Sequence, residues 1–196
     1  GVGKLAIADF DEVELSNLQR QIAHTTEDIG RPKVASARDT LLALNPHIQV
    51  TPLEGRLEGE ALQAQVEKAD VVVDASDNFA TRFAINAACV RARTPLVSGA
   101  AIRLEGQVAV FHPEKEESPC YHCLYREGEE LEETCTQSGV LAPLVGIIGS
   151  IQALEAIKVL LGMGETLAGR LLLLDALTME WRTLRLPRDP ACPTCG

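Results

Sequence analysis

Short apolar strands alternate with helical segments along the first half of the chain, and this alternation constrains the fold more than any other feature of the sequence. Apolar residues at helical spacing predict helices over residues 33–43, 60–68 and 80–91. Short apolar or β-branched runs between them predict strands over residues 4–8, 48–53, 71–73 and 95–98, and the β-branched run 71–73 is expected to be a buried parallel strand. Strands that alternate with helices form βαβ units. The sequence therefore predicts an α/β fold with a Rossmann-like, mostly parallel sheet.

The second half of the chain breaks this alternation. Residues 105–111 form a predicted strand with no helix before it, which indicates an antiparallel extension of the sheet. Residues 113–139 are polar and predict a long loop, and long loops inside compact domains are usually functional or mobile. After it, the sequence predicts an apolar helix over residues 143–161 and strands over residues 170–175 and 179–186.

Composition is consistent with a single cytoplasmic domain covering residues 1–196. A chain of 196 residues with 46% hydrophobic residues can bury about 70% of the surface of its unfolded state. The net charge of −10 argues against a nucleic-acid partner, which would need a basic patch. The sequence shows neither a secretory signal pattern nor a run of about 18 apolar residues, so no membrane association is expected.

A dense group of polar and charged residues follows the first strand, at the position where open α/β sheets bind ligands. A carboxylate there can accept hydrogen bonds from ribose hydroxyls, and arginine and lysine can neutralise phosphate. The group comprises Asp9, Asp11, Asn17, Arg20, Gln21, Arg31 and Lys33. This pattern predicts a nucleotide site, although it also fits a solvated loop of charges.

Two further carboxylates, Asp74 and Asp77, follow the strand predicted over residues 71–73. They lie where a parallel strand gives way to a helix, which is again the ligand-binding edge of a doubly wound sheet. The alternative is that Asp77 only caps the helix that follows.

Four of the six cysteines form two C-x-x-C units, Cys120 with Cys123 and Cys192 with Cys195. Two such pairs can place four thiolates around one zinc ion at about 2.3 Å, and a site filled by four thiolates is structural. The ligands are far apart in sequence, so the tertiary fold must close the site. His122 is interpreted as a bystander. A redox pair is the competing interpretation, but neither unit opens a helix after a strand.

Cys135 lies in the polar loop, apart from the paired cysteines. Its loop position and polar neighbours are compatible with a reactive thiol, and a small residue without chemistry is the alternative. Cys89 lies among alanines on a predicted helix face and is expected in the core.

A series of motifs occurs in order across essentially the whole chain. They are S-N-L-Q-R-Q (16–21), R-P-K (31–33), D-A-S-D-N (74–78), G-A-A-I-R-L-E-G-Q (99–107), Cys135 with G-V-L-A-P (139–143), and both C-x-x-C units. Together they resemble the HesA/MoeB/ThiF family of ubiquitin-activating-type adenylyltransferases. Residues 25–33 resemble most the ThiF branch, which activates the sulfur carrier of thiamine biosynthesis. Residues 99–107 resemble more the MoeB branch, its molybdopterin counterpart.

The resemblance implies an enzyme that uses ATP to adenylate the C-terminal glycine of a ubiquitin-like sulfur carrier, either ThiS-like or MoaD-like, with release of pyrophosphate. It implies that Asp9 binds the ribose and that Asp77 holds Mg²⁺, which suits carboxylates together with phosphate oxygens. The implied phosphate ligands are Asn17, Arg20, Gln21 and Lys33, of which Arg20 and Lys33 are catalytic. Cys135 corresponds to a cysteine that, in some members, bonds to the carrier or relays sulfur. A homodimer, with the apolar helix as a candidate surface, is also implied.

The family carries a glycine-rich phosphate loop between its first strand and first helix. Residues 1–4 (G-V-G-K) do not supply a P-loop, because that motif needs Ser or Thr after the lysine and Leu5 stands there. The sequence is therefore expected to lack the first βα unit of the family.

Two other classes of function remain open at this point. A strand that ends in Asp9 also suits NAD, so a dinucleotide-dependent oxidoreductase is one alternative. The other is a non-catalytic module, stapled by zinc, that docks a ubiquitin-like partner without turnover.

Overall fold

The computed structural model describes residues 2–126 and 139–196. Contacts within the chain divide it into two units, Gly1–Leu57 and Glu58–Gly196. Both units contain helices and strands, in agreement with the predicted α/β class.

The first unit contains two parallel strands, β1 (Lys4–Asp9) and β2 (Gln49–Glu54). Helix α1 (Lys33–Leu44) connects them, which makes a βαβ unit. The last pair in the register is Asp9 with Glu54, so β1 ends at the predicted ribose-binding carboxylate.

The connection from β1 to α1 is held by its own hydrogen bonds. It contains two short 3-10 helices, Leu15–Asn17 and Thr26–Asp28. Val13 is 1% exposed and exchanges backbone hydrogen bonds with Gly30 and Arg31, each 2.9 Å long. The buried Val13 therefore fixes the backbone of a connection that the sequence predicts to be a charged loop.

The second unit contains a five-stranded sheet in the order β3-β4-β5-β6-β7. Its strands are β3 (Val72–Asp74), β4 (Leu96–Ile102), β5 (Glu105–Phe111), β6 (Arg170–Asp175) and β7 (Glu180–Arg185). β3 and β4 pair in parallel, and the other three pairings are antiparallel. The antiparallel extension is therefore confirmed and is larger than the sequence suggests.

Within the described part of this unit, four helices accompany the sheet: α2 (Gly59–Val66), α3 (Phe79–Ala92), α4 (Tyr121–Leu124) and α5 (Ala142–Leu161). Successive residues of a strand point to opposite faces, so each face has its own core. On β4, Leu96 packs in a cluster with Phe83 of α3, whereas Val97 packs in a second cluster with Leu144 and Ile148 of α5.

Helix α5 has the length and composition of a membrane-spanning helix, and it is the one such candidate in the described ranges. Core helices pass the same test. One face of α5 packs in the core, because Leu144 and Ile148 pack against the sheet and Gln152 and Glu155 are buried, at 3% and 4% exposure, while most of the helix is not buried.

Three local predictions differ from the structure. The loop predicted over residues 113–139 contains the short helix α4. The strand predicted over residues 95–98 continues to Ile102, because β5 pairs with it along its whole length. Val73, expected in a buried strand, is 48% exposed, while Asp74 is 2% exposed. A β-branched run reveals strand propensity but not which face the rest of the chain covers.

Candidate functional site

The carboxyl end of β1 carries a compact charged group centred on Lys33. The Lys33 Nζ atom lies 2.8 Å from Asp11 Oδ2 and 3.8 Å from Asp9 Oδ2. Only 12% of the Lys33 side chain is exposed, against 36% for Asp9 and 51% for Asp11. The structure thus brings three predicted residues together, and they present a cation and carboxylate acceptors at one strand end.

The other predicted phosphate ligands lie on the connection after β1. Asn17 is 7% exposed and its Oδ1 accepts a hydrogen bond from the Glu14 amide at 3.1 Å, so it also shapes the turn. Arg20 Nη1 donates to the Ser16 carbonyl at 3.2 Å. The Gln21 Oε1 atom is buried and has no hydrogen-bond partner among the described residues.

Arg31 is held differently from Lys33. Its guanidinium donates to Asp28 Oδ1 at 2.5 Å and to Asp39 Oδ2 at 2.6 Å. Two carboxylates therefore engage both terminal nitrogens. Arg31 belongs to an ion-pair network that stabilises the connection and the start of α1.

Asp28, which the sequence does not single out, organises this network. Its Oδ2 accepts hydrogen bonds from the Thr25 amide at 2.8 Å and the Thr25 hydroxyl at 2.9 Å. The backbone hydrogen bond from Thr25 contributes most to lowering the pKa of Asp28 from 3.8 to about 2. Burial opposes this shift, while the Thr25, Ser36 and Arg31 side chains support it. The Thr-x-x-Asp spacing, a reciprocal capping pattern, is the sequence signal that marks this residue.

This lowered pKa predicts a pH-dependent contribution to stability. A carboxyl group with a lowered folded-state pKa stabilises the fold above its unfolded pKa, and the contribution is lost as pH falls. We expect the Asp28→Asn substitution to lower the free energy of unfolding by a constant amount at neutral pH. The loss should shrink as pH falls from 3.8 to about 2. Urea unfolding at a series of pH values measures it. A pH-independent Asp28→Asn effect would contradict the assignment.

Asp74 belongs to a buried polar network that the sequence does not reveal. Its Oδ1 accepts hydrogen bonds from the Ser76 amide at 2.9 Å and the Ser76 hydroxyl at 2.7 Å. Its Oδ2 lies 3.3 Å from Arg82 Nη1, and both side chains are almost fully buried. Removal of one member of a buried ion pair typically costs about 3–5 kcal/mol. Asp74 and Arg82 therefore form part of the core.

Asp77 is not the cap of the helix that follows it. Asn78 caps α3, because its Oδ1 accepts a hydrogen bond from the Thr81 amide at 2.9 Å. Asp77 is exposed, and its Oδ1 lies 3.4 Å from Asn78 Nδ2. The capping alternative for Asp77 is therefore wrong, and its carboxylate faces solvent where it can bind a cation.

The two C-x-x-C units come together as one cluster. The four sulfur atoms all lie within 4.8 Å of one another. Cys120 Sγ is 3.6 Å from Cys192 Sγ, and Cys123 Sγ is 3.5 Å from Cys195 Sγ. Tetrahedral zinc with four thiolates at about 2.3 Å would place the sulfurs roughly 3.8 Å apart. The cluster fits a metal better than a redox pair, which needs only two thiols.

Groups around the cluster donate hydrogen bonds to its sulfurs. Asn86 Nδ2 lies 3.5 Å from Cys120 Sγ, and the Asp189 amide lies 3.4 Å from Cys123 Sγ. His122 Nδ1 instead lies 2.7 Å from Thr194 Oγ1, and His122 is not one of the clustered ligands. Such surrounding donors orient metal ligands and stabilise thiolates.

The electrostatics of the cluster favour a bound cation. Burial raises the pKa of Cys120 to about 11 and also raises the pKa of Cys195. Burial acts in the same direction at Cys192, but backbone hydrogen bonds from Cys195 and Thr194 outweigh it and lower the pKa of that thiol. Four adjacent thiolates therefore need a positive charge among them, and a divalent metal supplies it.

Of the two remaining cysteines, Cys89 lies within the described residues and Cys135 does not. Cys89 is 1% exposed, which confirms its expected place in the core, and burial raises its pKa to about 12. A buried thiol with a raised pKa is inert. Cys135 lies outside the described residues, so its suggested covalent role stays a prediction.

Comparison with known proteins agrees with this arrangement. The sequence model of the ThiF family matches residues 1–194. The chain is 50% identical over 196 residues to the molybdopterin-synthase adenylyltransferase of Escherichia coli K12, covering all of this chain and 78% of that protein. It is 52% identical over 196 residues to the sulfur carrier protein ThiS adenylyltransferase of the same strain, covering all of this chain and 77% of that protein.

Solved structures show the same fold at lower identity. Escherichia coli MccB with ATP aligns with a TM-score of 0.83 and 23% identity, covering 100% of this chain. The chain spans 60% of the length of that protein, and at this identity the likeness concerns the fold alone.

The family match over residues 1–194 makes this α/β chain, with its charged group at the end of β1 and its four-cysteine cluster, a domain of the ThiF type. The chain belongs to the ThiF family. The family inferred from the sequence motifs is therefore confirmed.

Proposed function

We propose that this protein is a nucleotidyltransferase that activates the C-terminal glycine of a ubiquitin-like sulfur carrier with ATP, forming an acyl adenylate and pyrophosphate. The supporting observation is the identity of 50% and 52%, over the whole chain, to two relatives named as adenylyltransferases. One is named for molybdopterin synthase and the other for ThiS. ThiS, in thiamine biosynthesis, is our first choice of carrier. MoeB-type activation of a MoaD-like carrier, the molybdopterin synthase small subunit, is the alternative.

The chemistry follows from the charged residues at the end of β1. An oxygen of the glycine carboxylate attacks the α-phosphorus of ATP and forms a new oxygen–phosphorus bond. The bond from the α-phosphorus to the bridging oxygen breaks, and pyrophosphate leaves with the electron pair. The nucleophile is already ionised, so no side chain needs to act as a base. Catalysis then depends on positioning and on stabilisation of negative charge.

We assign roles to the residues of the first unit accordingly. Asp9 accepts hydrogen bonds from the ribose hydroxyls. Lys33, held near Asp9 and Asp11, and Arg20 stabilise charge on the phosphates. Asn17 and Gln21 complete the proposed phosphate ligands, to which each would donate through its side-chain amide nitrogen.

Asp77 is the proposed ligand of the Mg²⁺ that accompanies ATP. Its exposed carboxylate and the absence of a capping bond to α3 leave its oxygen atoms accessible to a cation. Mg²⁺ suits such a site because it takes one or two carboxylates together with phosphate oxygens, and it neutralises phosphate charge when bound.

The cysteine cluster is the proposed site of a structural zinc ion, held by Cys120, Cys123, Cys192 and Cys195. Four thiolates fill every position of a tetrahedral metal, so no water can bind and no catalytic role is expected. The metal would tie α4 to the C-terminal residues.

A homodimer and a cytoplasmic location complete the proposal. Leu154, Ile157 and Leu161 recur along α5 and are 57%, 40% and 67% exposed, so they can form part of a subunit interface. Cys135 is the proposed site of a covalent bond to the carrier or of sulfur relay.

Carrier-dependent ATP–pyrophosphate exchange tests the proposed function. The protein is incubated with ATP and labelled pyrophosphate, and ThiS-like and MoaD-like carriers are offered separately. A carrier that lacks its terminal glycine is the control, because its shortened tail cannot bring the new terminal carboxylate to the α-phosphorus, while docking remains possible. We expect exchange with one intact carrier, which would also identify the pathway. Carrier binding without exchange by either would favour the non-catalytic module instead.

A further inference from the structure

We propose that Arg82 is a positioning residue that fixes the loop between β3 and α3, so that Asp77 is placed for cation binding before any nucleotide arrives. This inference rests on the proposed function, because it gives Arg82 its role through Asp77 as a magnesium ligand. Arg82 does not itself touch the cation.

The guanidinium of Arg82 joins the loop to the neighbouring strand β4. Its Nη2 donates to the carbonyl oxygen of Ser76 and, at 3.0 Å, to that of Gly99. Its Nη1 lies 3.3 Å from both Asp74 Oδ2 and Ser98 Oγ. The residue directly before Asp77 is therefore bonded to a buried cation that is anchored in the sheet.

The residues on either side of Asp77 are fixed separately. On one side, Ser76 donates its amide and its hydroxyl to Asp74 Oδ1. On the other, Asn78 is held as the cap of α3 by its bond to the Thr81 amide. Asp77 lies between these two fixed residues and remains exposed. A short loop fixed at both ends offers its carboxylate in a narrow range of positions.

Helix α5 supports the same network from another direction. Gln152 Nε2 donates to the Asp74 carbonyl at 2.8 Å and lies 3.3 Å from the Val97 carbonyl. A Cβ atom on Gly99 would lie 2.2 Å from Gln152 Cδ, so only glycine lets this side chain reach its acceptors. The Asp77 loop is thus anchored to α3, β4 and α5.

Arginine suits this role because its planar fork can bond to acceptors on two elements at once. Lysine keeps the charge beside Asp74, but its single ammonium cannot reproduce the fork. A loop that is ordered beforehand does not lose conformational entropy when the ligand binds. We therefore expect the Arg82→Lys protein to remain folded and to bind the cation more weakly than the wild type.

Hydrogen exchange on the unaltered protein tests the ordering directly. We expect the Ser76 amide to exchange slowly, like amides of β4, in the absence of nucleotide and Mg²⁺. Addition of ATP with Mg²⁺ should then change its exchange rate less than twofold. A fast-exchanging Ser76 amide that becomes protected only with ATP and Mg²⁺ would overturn the proposal, because the ligand rather than Arg82 would then order the loop. This measurement needs no variant. It therefore tests whether the loop is ordered before the ligand binds even if the Arg82→Lys protein does not fold.

Cation binding by variants tests the link from Arg82 to Asp77. Mn²⁺ affinity is measured by electron paramagnetic resonance with a non-hydrolysable ATP analogue, beside the Mg²⁺ dependence of pyrophosphate exchange. Substitutions in residues that support metal ligands typically reduce affinity by about 10–100-fold. We expect Arg82→Lys to weaken Mn²⁺ binding by about tenfold and to raise the half-saturating Mg²⁺ concentration by a similar factor.

Two control variants separate the possible failures. Asp77→Asn should weaken Mn²⁺ binding at least as much as Arg82→Lys. If it has no effect, the proposed role of Asp77 is wrong and the inference fails with it. If only Arg82→Lys has no effect, the role of Asp77 stands and the positioning role of Arg82 is wrong. Glu155→Ala removes a buried carboxylate of α5 that accepts from the Leu167 amide and from Lys158 and is not among the groups described above as holding the loop. It should lower stability and leave Mn²⁺ affinity unchanged. A loss of affinity in Glu155→Ala equal to that in Arg82→Lys would show that any destabilisation suffices, and would also overturn the proposal.

Discussion

Replacement of Lys33 by alanine is expected to reduce carrier-dependent ATP–pyrophosphate exchange by about 10²–10³-fold. The Lys33 ammonium, 2.8 Å from Asp11 and 3.8 Å from Asp9, is one of two side-chain charges proposed to stabilise the α-phosphate during the transfer. Without it, the carboxylates at the end of β1 would repel the phosphates. Initial rates at saturating ATP and carrier measure the effect.

The same substitution should affect stability much less than activity. Asp9 and Asp11 are 36% and 51% exposed, so water can solvate them once Lys33 is gone. Ion pairs with exposed partners contribute about 0–1 kcal/mol, and we expect a loss of about 1 kcal/mol at most. Arg38→Ala is the matched control, because Arg38 also lies on α1 and bonds to Asp39. Exchange within about twofold of the wild type in folded Lys33→Ala would rule out the proposed role of Lys33.

Loss of one clustered cysteine is the second change with a large expected effect. Cys120→Ala should abolish stoichiometric zinc binding, because three thiolates and a methyl group cannot complete a tetrahedral thiolate site. Structural zinc contributes directly to folding, so we expect the free energy of unfolding to fall by at least about 4 kcal/mol. For a domain of this size, that corresponds to about 8–16 °C in the thermal midpoint. Elemental analysis and calorimetry measure the two effects.

Cys89→Ala is the matched control for this prediction. Cys89 is buried like Cys120 but is not part of the cluster, so its removal should leave zinc content unchanged. A strong chelator added to the wild-type protein should reproduce the shift in thermal midpoint seen with Cys120→Ala. A wild-type protein that contains no zinc, or a Cys120→Ala protein that retains a full equivalent, would refute the proposed metal centre.

The cysteine cluster shows how far local sequence can define a site. Two C-x-x-C units restrict the chemistry to metal binding or redox exchange. The structure favours a metal because all four sulfurs lie within 4.8 Å of one another. The hydrogen-bond donors around the sulfurs could not be predicted. Asn86, for example, lies on α3 and reaches Cys120 only through tertiary packing.

The carboxylates after β3 show where a sequence pattern is ambiguous. Asp74 and Asp77 are similar in sequence, three residues apart, yet one is 2% exposed and the other is exposed. Asp74 is buried in an ion pair with Arg82, whereas Asp77 stays exposed because Asn78 takes the capping position. Spacing alone could not decide between capping and cation binding, because Asp and Asn cap helices about equally well.

The α/β class, the end of β1 at Asp9 and the identity of the four clustered cysteines follow from periodicity and residue chemistry, which are local. The ion pairs of Lys33 with Asp9 and Asp11, the bond from Arg82 to the residue before Asp77 and the two carboxylates that bind Arg31 are visible only in the folded chain. Which charges are paired, and which remain accessible to a ligand, depends on contacts between residues far apart in the chain, because burial and hydrogen-bond partners are set by packing.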